Sequence, residues 1–141
     1  MRKVARCICS SLLTLFMLDA GSLNAQQDES IYPAQLVSFE DLAYPGVARA
    51  ARIQGIVVIR ARLDDKGNVV NASPISGLSP FIADSLANIK KWKFKPSPGK
   101  SVVIVYEFKL DEGACHDDSH SLFRLMHSNF ATVTACSRVI Q

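Results

Sequence analysis

An alternating run of apolar side chains in the C-terminal half of the chain constrains the fold more than any other feature. Every second residue is apolar in the run Val102, Ile104, Tyr106, Phe108 and Leu110. Successive side chains of a β-strand point to opposite faces, so this run predicts a strand with one buried face. The outward face is then formed by Val103, Val105, Glu107 and Lys109.

Two further strands and a short helix are predicted upstream. Residues 54–63 also alternate, which indicates a second half-buried strand. The turn-forming residues 64–68 follow, and Gly67 can adopt the positive φ that a hairpin loop needs, so residues 69–75 are expected to return antiparallel. Helical spacing of small apolar residues predicts a short helix from about Pro45 to Arg52.

A second helix separates the last two predicted strands. Ser79 and Pro80 are typical of a helix start and precede an amphipathic pattern of about 13 residues. Its polar residues are expected to face away from the core, and these are Asp84, Asn88 and Lys91. The order helix, strand, strand, helix, strand predicts an α+β fold, a two-layer sandwich in which a three-stranded antiparallel sheet carries two helices on one face.

Residues 1–25 have the character of a secretory signal peptide. Three basic residues precede an apolar stretch, residues 7–18, and Ala25 supplies a small residue at the expected cleavage site. The apolar stretch is closed by Asp19 and is too short to span a bilayer. We therefore expect cleavage after Ala25 in preference to a retained membrane anchor, no integral membrane span, and a lead-in segment over residues 26–42.

Cleavage would leave two of the four cysteines, Cys115 and Cys136, in an exported protein. A disulfide between them is expected in an oxidising compartment, and it would close residues 113–141 as a Cys-bracketed extension. The alternative is a metal site built from Cys115, His116, His120, His127 and Cys136. Because this spacing matches no closed zinc pattern, no metal is expected.

Charge and motif content argue against two function classes. Loss of the first 25 residues, which hold three basic residues and one acidic residue, lowers the formal charge from +3 to +1. A nearly neutral chain is a poor candidate for binding nucleic acid through many phosphates. The sequence also lacks a phosphate-binding Gly-rich loop and the common hydrolase motifs, so neither an enzyme nor a cofactor is expected.

Several residues at fixed separations resemble the C-terminal domain of the TonB energy transducers. They are Tyr44, Pro45, Gly55, Gly67, Trp92, Phe94 and Pro96. The resemblance covers residues 43–112 and implies a periplasmic module that pairs with the TonB-box segment of an outer-membrane transporter by β-strand addition. In the family the last strand is the accepting edge. Carried over, the edge is residues 100–110, and the expected partner-binding residues are Val103, Val105, Glu107 and Lys109.

The segments around the resembling region leave alternatives open. Residues 26–42 reach only about 60 Å when fully extended, so we expect a free-standing domain without the long spacer of a transducer. The alternative function is a secreted structural or assembly module that self-associates, as a homodimer, through its sheet edge. In the C-terminal extension, residues 122–126 suggest a short helical piece and residues 131–140 have β-type composition. This β-prone segment could fold back on the last strand and block its edge, or form a surface of its own.

Overall fold

The computed structural model describes residues 35–111 and 121–137. Its elements follow the chain as β1 (Leu36–Ser38), α1 (Gly46–Ala50), β2 (Gly55–Leu63), β3 (Val69–Ser76), α2 (Ser79–Ile89), β4 (Lys93–Phe94), β5 (Ser101–Asp111), β6 (Leu122–His127) and β7 (Phe130–Cys136). The predicted α+β class, its two helices and its three central strands are all present in this part of the chain.

The main sheet has the strand order β3-β2-β5-β7-β6. Neighbouring strands run antiparallel except for β5 and β7, which are parallel. The predicted three-stranded sheet is therefore the β3-β2-β5 part of a five-stranded sheet, and the prediction of strand number was wrong. The short strands β1 and β4 form a separate antiparallel pair.

One face of the sheet, here called the inner face, carries the core. The alternation in β2 and β5 places Val57, Ile59, Ile104 and Tyr106 on this face with no exposed surface. Phe81 of α2 stacks on Phe108 of β5 with ring centroids 4.2 Å apart, so the helical layer packs directly on the central strand. The predicted strand faces are confirmed, and Val103, Val105, Glu107 and Lys109 lie on the opposite, outer face.

Helix α2 buries one residue that was expected to face solvent, while Asp84 and Lys91 are exposed as expected. Its buried residues are Phe81, Ser85, Asn88 and Ile89. Asn88 was expected to face solvent, but it is only 5% exposed. The expectation failed because a polar residue can lie on a packed face when its hydrogen bonds are satisfied there.

Residues 122–136 form a β-hairpin. The helical piece expected at residues 122–126 is wrong, since β6 pairs antiparallel with β7 over this stretch. The β-type composition expected from residue 131 is confirmed in β7, whose inner-face residues Ala131, Val133 and Ala135 are fully buried. The hairpin is consequently part of the hydrophobic core.

The lead-in segment covers the core beneath this hairpin. It contains the short strand β1 and the buried Leu42. The ring of Phe39 lies 5.9 Å from that of Trp92 and 5.7 Å from that of Phe123 in β6. The segment that precedes α1 thus extends the helical layer and covers part of β6.

The burial of β7 predicts that small losses of apolar volume there destabilise the whole domain. We expect Val133→Ala to lower the free energy of unfolding by about 2 kcal/mol, because two methyl groups leave a fully packed site. The same change at Val47, which is 79% exposed on α1, is the matched control and should shift stability by less than about 0.5 kcal/mol. Urea unfolding followed by Trp92 fluorescence measures the stability of both variants. Equal urea midpoints for the two variants would contradict a core role for the hairpin.

Candidate functional site

The strand predicted to accept a partner has neighbours on both sides. On one side β5 pairs with β2 along residues 101–108. On the other side β5 pairs with β7 from Val105, opposite Phe130, to Asp111, opposite Cys136. The expectation of an open edge over residues 100–110 is therefore wrong from Val105 onwards in this state, because the chain's own β7 lies where a partner strand would add.

The four residues predicted to bind a partner share the outer face of the sheet. Val103, Val105 and Glu107 are half-buried and Lys109 is exposed. Lys109 Nζ lies 3.0 Å from a carboxylate oxygen of Glu107, and Thr132 of β7 donates its hydroxyl to the same oxygen at 3.4 Å. These side chains are close together, but their role in partner binding stays a prediction.

Tyr44 is a structural anchor between the lead-in segment, the sheet and the hairpin. Its hydroxyl donates to the carbonyl of Ile53 at 2.5 Å, and its backbone N–H donates to Ser121 Oγ at 2.9 Å. Its ring meets Phe81 and Phe108 edge-on at 5.7 and 5.6 Å. Burial raises the pKa of Tyr44 to about 12, so the phenol stays neutral and remains a donor at physiological pH.

Gly67 connects the β2–β3 turn to the Trp-x-Phe-x-Pro motif. The predicted positive φ is confirmed at +80°, and a Cβ there would lie 1.9 Å from the carbonyl oxygen of Phe94. The backbone N–H of Phe94 donates to the carbonyl of Gly67 at 2.9 Å. Only glycine permits this close approach of the Gly67 and Phe94 backbones.

The same turn contains Asp64. Hydrogen bonds from the Asn68 side chain and backbone lower the pKa of its carboxyl group.

Asn88 is a buried hydrogen-bond centre that the sequence did not indicate. Its Oδ1 accepts from Trp92 Nε1 and from the hydroxyl of Tyr106, both at 2.9 Å. Its Nδ2 donates to the carbonyls of Glu40 and Asp41 at 3.0 and 3.1 Å. One amide therefore joins α2, β5 and the lead-in segment. The separation of four residues between Asn88 and Trp92 was the available signal, since such residues lie on the same helix face.

An aromatic shelf lies beside the last strand of the sheet. We use this term for Phe39, Trp92 and Phe123, whose rings are in mutual contact with centroids 5.7 to 6.3 Å apart. Phe39 is 43% exposed, whereas Trp92 is 2% exposed. The shelf therefore presents an apolar surface next to the free side of β6, which is the side that pairs with no strand among residues 35–111 and 121–137. The sequence did not indicate it, because its members come from distant parts of the chain.

Cys136 was a candidate both for a metal site and for a disulfide bond. No group of three His, Cys, Asp or Glu residues is placed to hold a metal ion within residues 35–111 and 121–137. Cys136 is disulfide-bonded and so supplies no thiolate ligand. Cys115, His116 and His120 lie outside the described residues, and the predicted pairing of Cys115 with Cys136 stays a prediction.

Together these observations define a small α+β scaffold whose prominent accessible features are sheet edges and an aromatic shelf. A family described as the C-terminal domain of Gram-negative bacterial TonB proteins matches residues 40–111, just over half of the chain. The chain belongs to this family, which is a transport-related domain. No curated protein gives a significant match.

The family match ends before the C-terminal hairpin begins. It covers the elements from α1 to β5 and stops at Asp111. The motif residues Tyr44, Trp92 and Phe94 are buried within it, while Pro96 is exposed after β4. No helix in the described part of the chain combines the length and apolarity needed to cross a bilayer. The hairpin and Phe39 lie outside the matched residues.

The hydrogen bonds of Asn88 predict a large effect of a small substitution. Asn88→Ala should lower the free energy of unfolding by about 3 kcal/mol, because it leaves Trp92 Nε1–H and the Tyr106 hydroxyl buried without a partner. Asn71→Ala, at an exposed position of β3, is the control and should change stability by less than about 0.5 kcal/mol. Chemical denaturation measures the free energy of unfolding of both variants. If Asn88→Ala lowers it no more than Asn71→Ala does, the hydrogen bonds of Asn88 are not a main source of stability.

Proposed function

We propose that this protein is a periplasmic peptide-binding module that contributes to TonB-linked transport across the outer membrane. It binds an extended segment of an outer-membrane transporter by β-strand addition. Membership of the TonB C-terminal family supports the transport role. The pairing of β7 with β5 supports the mode of binding, since it is an intramolecular case of a strand added to the family's last strand.

This pairing is the observation that carries the proposal. Seven residues of β7 form a continuous parallel register with β5, from Phe130 to Cys136. Main-chain hydrogen bonds give such an addition its affinity, and side-chain pockets on alternate residues give it specificity. Val103 precedes the start of the β5–β7 pairing, whereas a transporter segment can pair along Val105, Glu107 and Lys109 only where β7 is displaced. Otherwise the segment adds at another edge of the same sheet.

Binding of transporter segments tests the proposal. Synthetic peptides that tile the N-terminal periplasmic segments of the host's outer-membrane transporters should include some that bind the purified full-length protein saturably, measured by fluorescence anisotropy. Scrambled peptides of the same composition are the control, because strand addition with alternating pockets depends on order and not on composition.

The oligomeric state decides between this proposal and self-association. Analytical ultracentrifugation of the same sample should give a monomer whose size does not change with concentration. A stable dimer that binds no peptide above the scrambled controls would contradict the proposal and favour an assembly module that pairs sheet edges.

We also propose that the protein is exported with cleavage after Ala25 and that Cys115 pairs with Cys136. The disulfide bonding of Cys136 and the periplasmic setting of the family support this. On the chain-entropy model the bond contributes about 3 kcal/mol to stability. Intact mass of the exported protein should correspond to residues 26–141 less two hydrogens, and reduction should restore them. A mass that includes residues 1–25 would contradict cleavage after Ala25. A mass unchanged by reductant would contradict the disulfide.

A further inference from the structure

The C-terminal hairpin moves the end of the sheet from β5 to β6. Displacing β7 to free β5 would expose Ala131, Val133 and Ala135, which are fully buried, and would disturb the contact of Phe123 with Trp92. Ser121 additionally holds the start of β6 against the Tyr44 backbone. These contacts oppose displacement of the hairpin, because freeing β5 would expose part of the hydrophobic core.

The opposite end of the sheet is a poor acceptor. Strand β3 contains Pro74, which has no backbone N–H to donate to an added strand. The β2–β3 register is also irregular at two places, between Val58 and Ile59 and between Arg62 and Leu63. Proline and bulges are the usual means by which natural sheets block their edges. The free side of β6 is therefore the better candidate.

The surroundings of β6 have a definite chemistry on each face. On the inner face, Phe123 belongs to the aromatic shelf, where Phe39 is 43% exposed. On the outer face, Arg124 is exposed and lies in register with Thr132 of β7, with the exposed apolar residues Leu122 and Met126 two positions away on either side. Arg124 has no ion pair with any residue in the described part of the chain. A strand added here would place alternate side chains on the apolar shelf and beside the arginine.

We propose that the free edge of β6 accepts an extended segment in which acidic and apolar side chains alternate. This rests on the proposed function and specifies where the segment binds and which chemistry it carries. Its apolar side chains continue the surface formed by Phe39 and Phe123, and its acidic side chains pair with Arg124 across the strands. Opposite charges on facing cross-strand positions are favourable, whereas like charges are unfavourable.

The charge of β6 also argues against a second copy as the occupant. The strand carries one charged residue, Arg124, and no acidic residue. An antiparallel pair of two β6 strands would bring the Arg124 side chains of both copies into one short ladder without a compensating carboxylate. An acidic segment of another protein relieves this charge instead of doubling it.

Two short capped peptides test the proposal on the full-length protein. Valine and glutamate alternate in the first, and lysine replaces glutamate in the second. In amide NMR titrations the glutamate peptide should produce its largest shift changes in residues 122–127, while the lysine peptide should bind much more weakly. Added salt should lower the affinity for the glutamate peptide, because the expected ion pair is at the surface and is screened.

Charge reversal at one position provides the decisive comparison. Arg124→Glu should lower affinity for the glutamate peptide about fivefold and reverse the preference between the two peptides. Arg62→Glu is the matched control, since Arg62 is also exposed on the outer face but lies on β2, with β5 and β7 between it and β6. It should change affinity by less than about twofold. Unchanged thermal unfolding of both variants confirms that the fold is retained.

The outcomes separate this inference from the proposed function. Largest shift changes on β3, or loss of amide protection in β7 with changes in β5, would overturn the β6 site while leaving strand addition intact. Equal effects of the two arginine substitutions would also overturn it. Absence of binding by these peptides and by every transporter peptide would overturn both proposals.

Discussion

The structure depends on the pairing of β5 with a strand on each side. β2 and β7 both hydrogen-bond to β5, so the most regular apolar strand of the chain is central and not an edge. Its inner face receives the stacked ring of Phe81 from α2, and its Tyr106 hydroxyl reaches Asn88. The sheet and the helical layer meet at β5. A change in the strand that pairs with β5 on the β7 side therefore alters the core as well as the surface.

The sequence predicted those features that are encoded locally. Alternation over residues 54–63 and 102–110 identified both strands and their buried faces, since a period of two is read within one strand. β6 was missed because the apolar residues at 122, 123, 125 and 126 also fit a helical spacing, and six residues are too few to decide between the two periods. Its pairing with β7 is a tertiary effect that overrides such a weak local pattern.

The candidate site was less predictable than the fold because it is assembled from distant residues. The parallel pairing of β7 with β5 leaves no local pattern, so the sequence could suggest a fold-back without fixing its register. The aromatic shelf joins Phe39 to Phe123, which are far apart in the chain. Asn88 illustrates the same limit, since a polar residue on an amphipathic helix is normally solvated, and its four hydrogen-bond partners belong to other elements or to the next turn.

The segments on either side of the matched residues contact each other. The hairpin lies after residue 111 and Phe39 lies before residue 40, yet the two meet at Phe123, and Ser121 bonds to Tyr44 within the matched region. Phe39 and Trp92 together cover Phe123 on the inner face of β6. The residues that set partner chemistry at the new edge, Phe39, Phe123 and Arg124, thus lie outside the matched residues. Selectivity at this edge can therefore change while the buried family motif, which maintains the scaffold, stays the same.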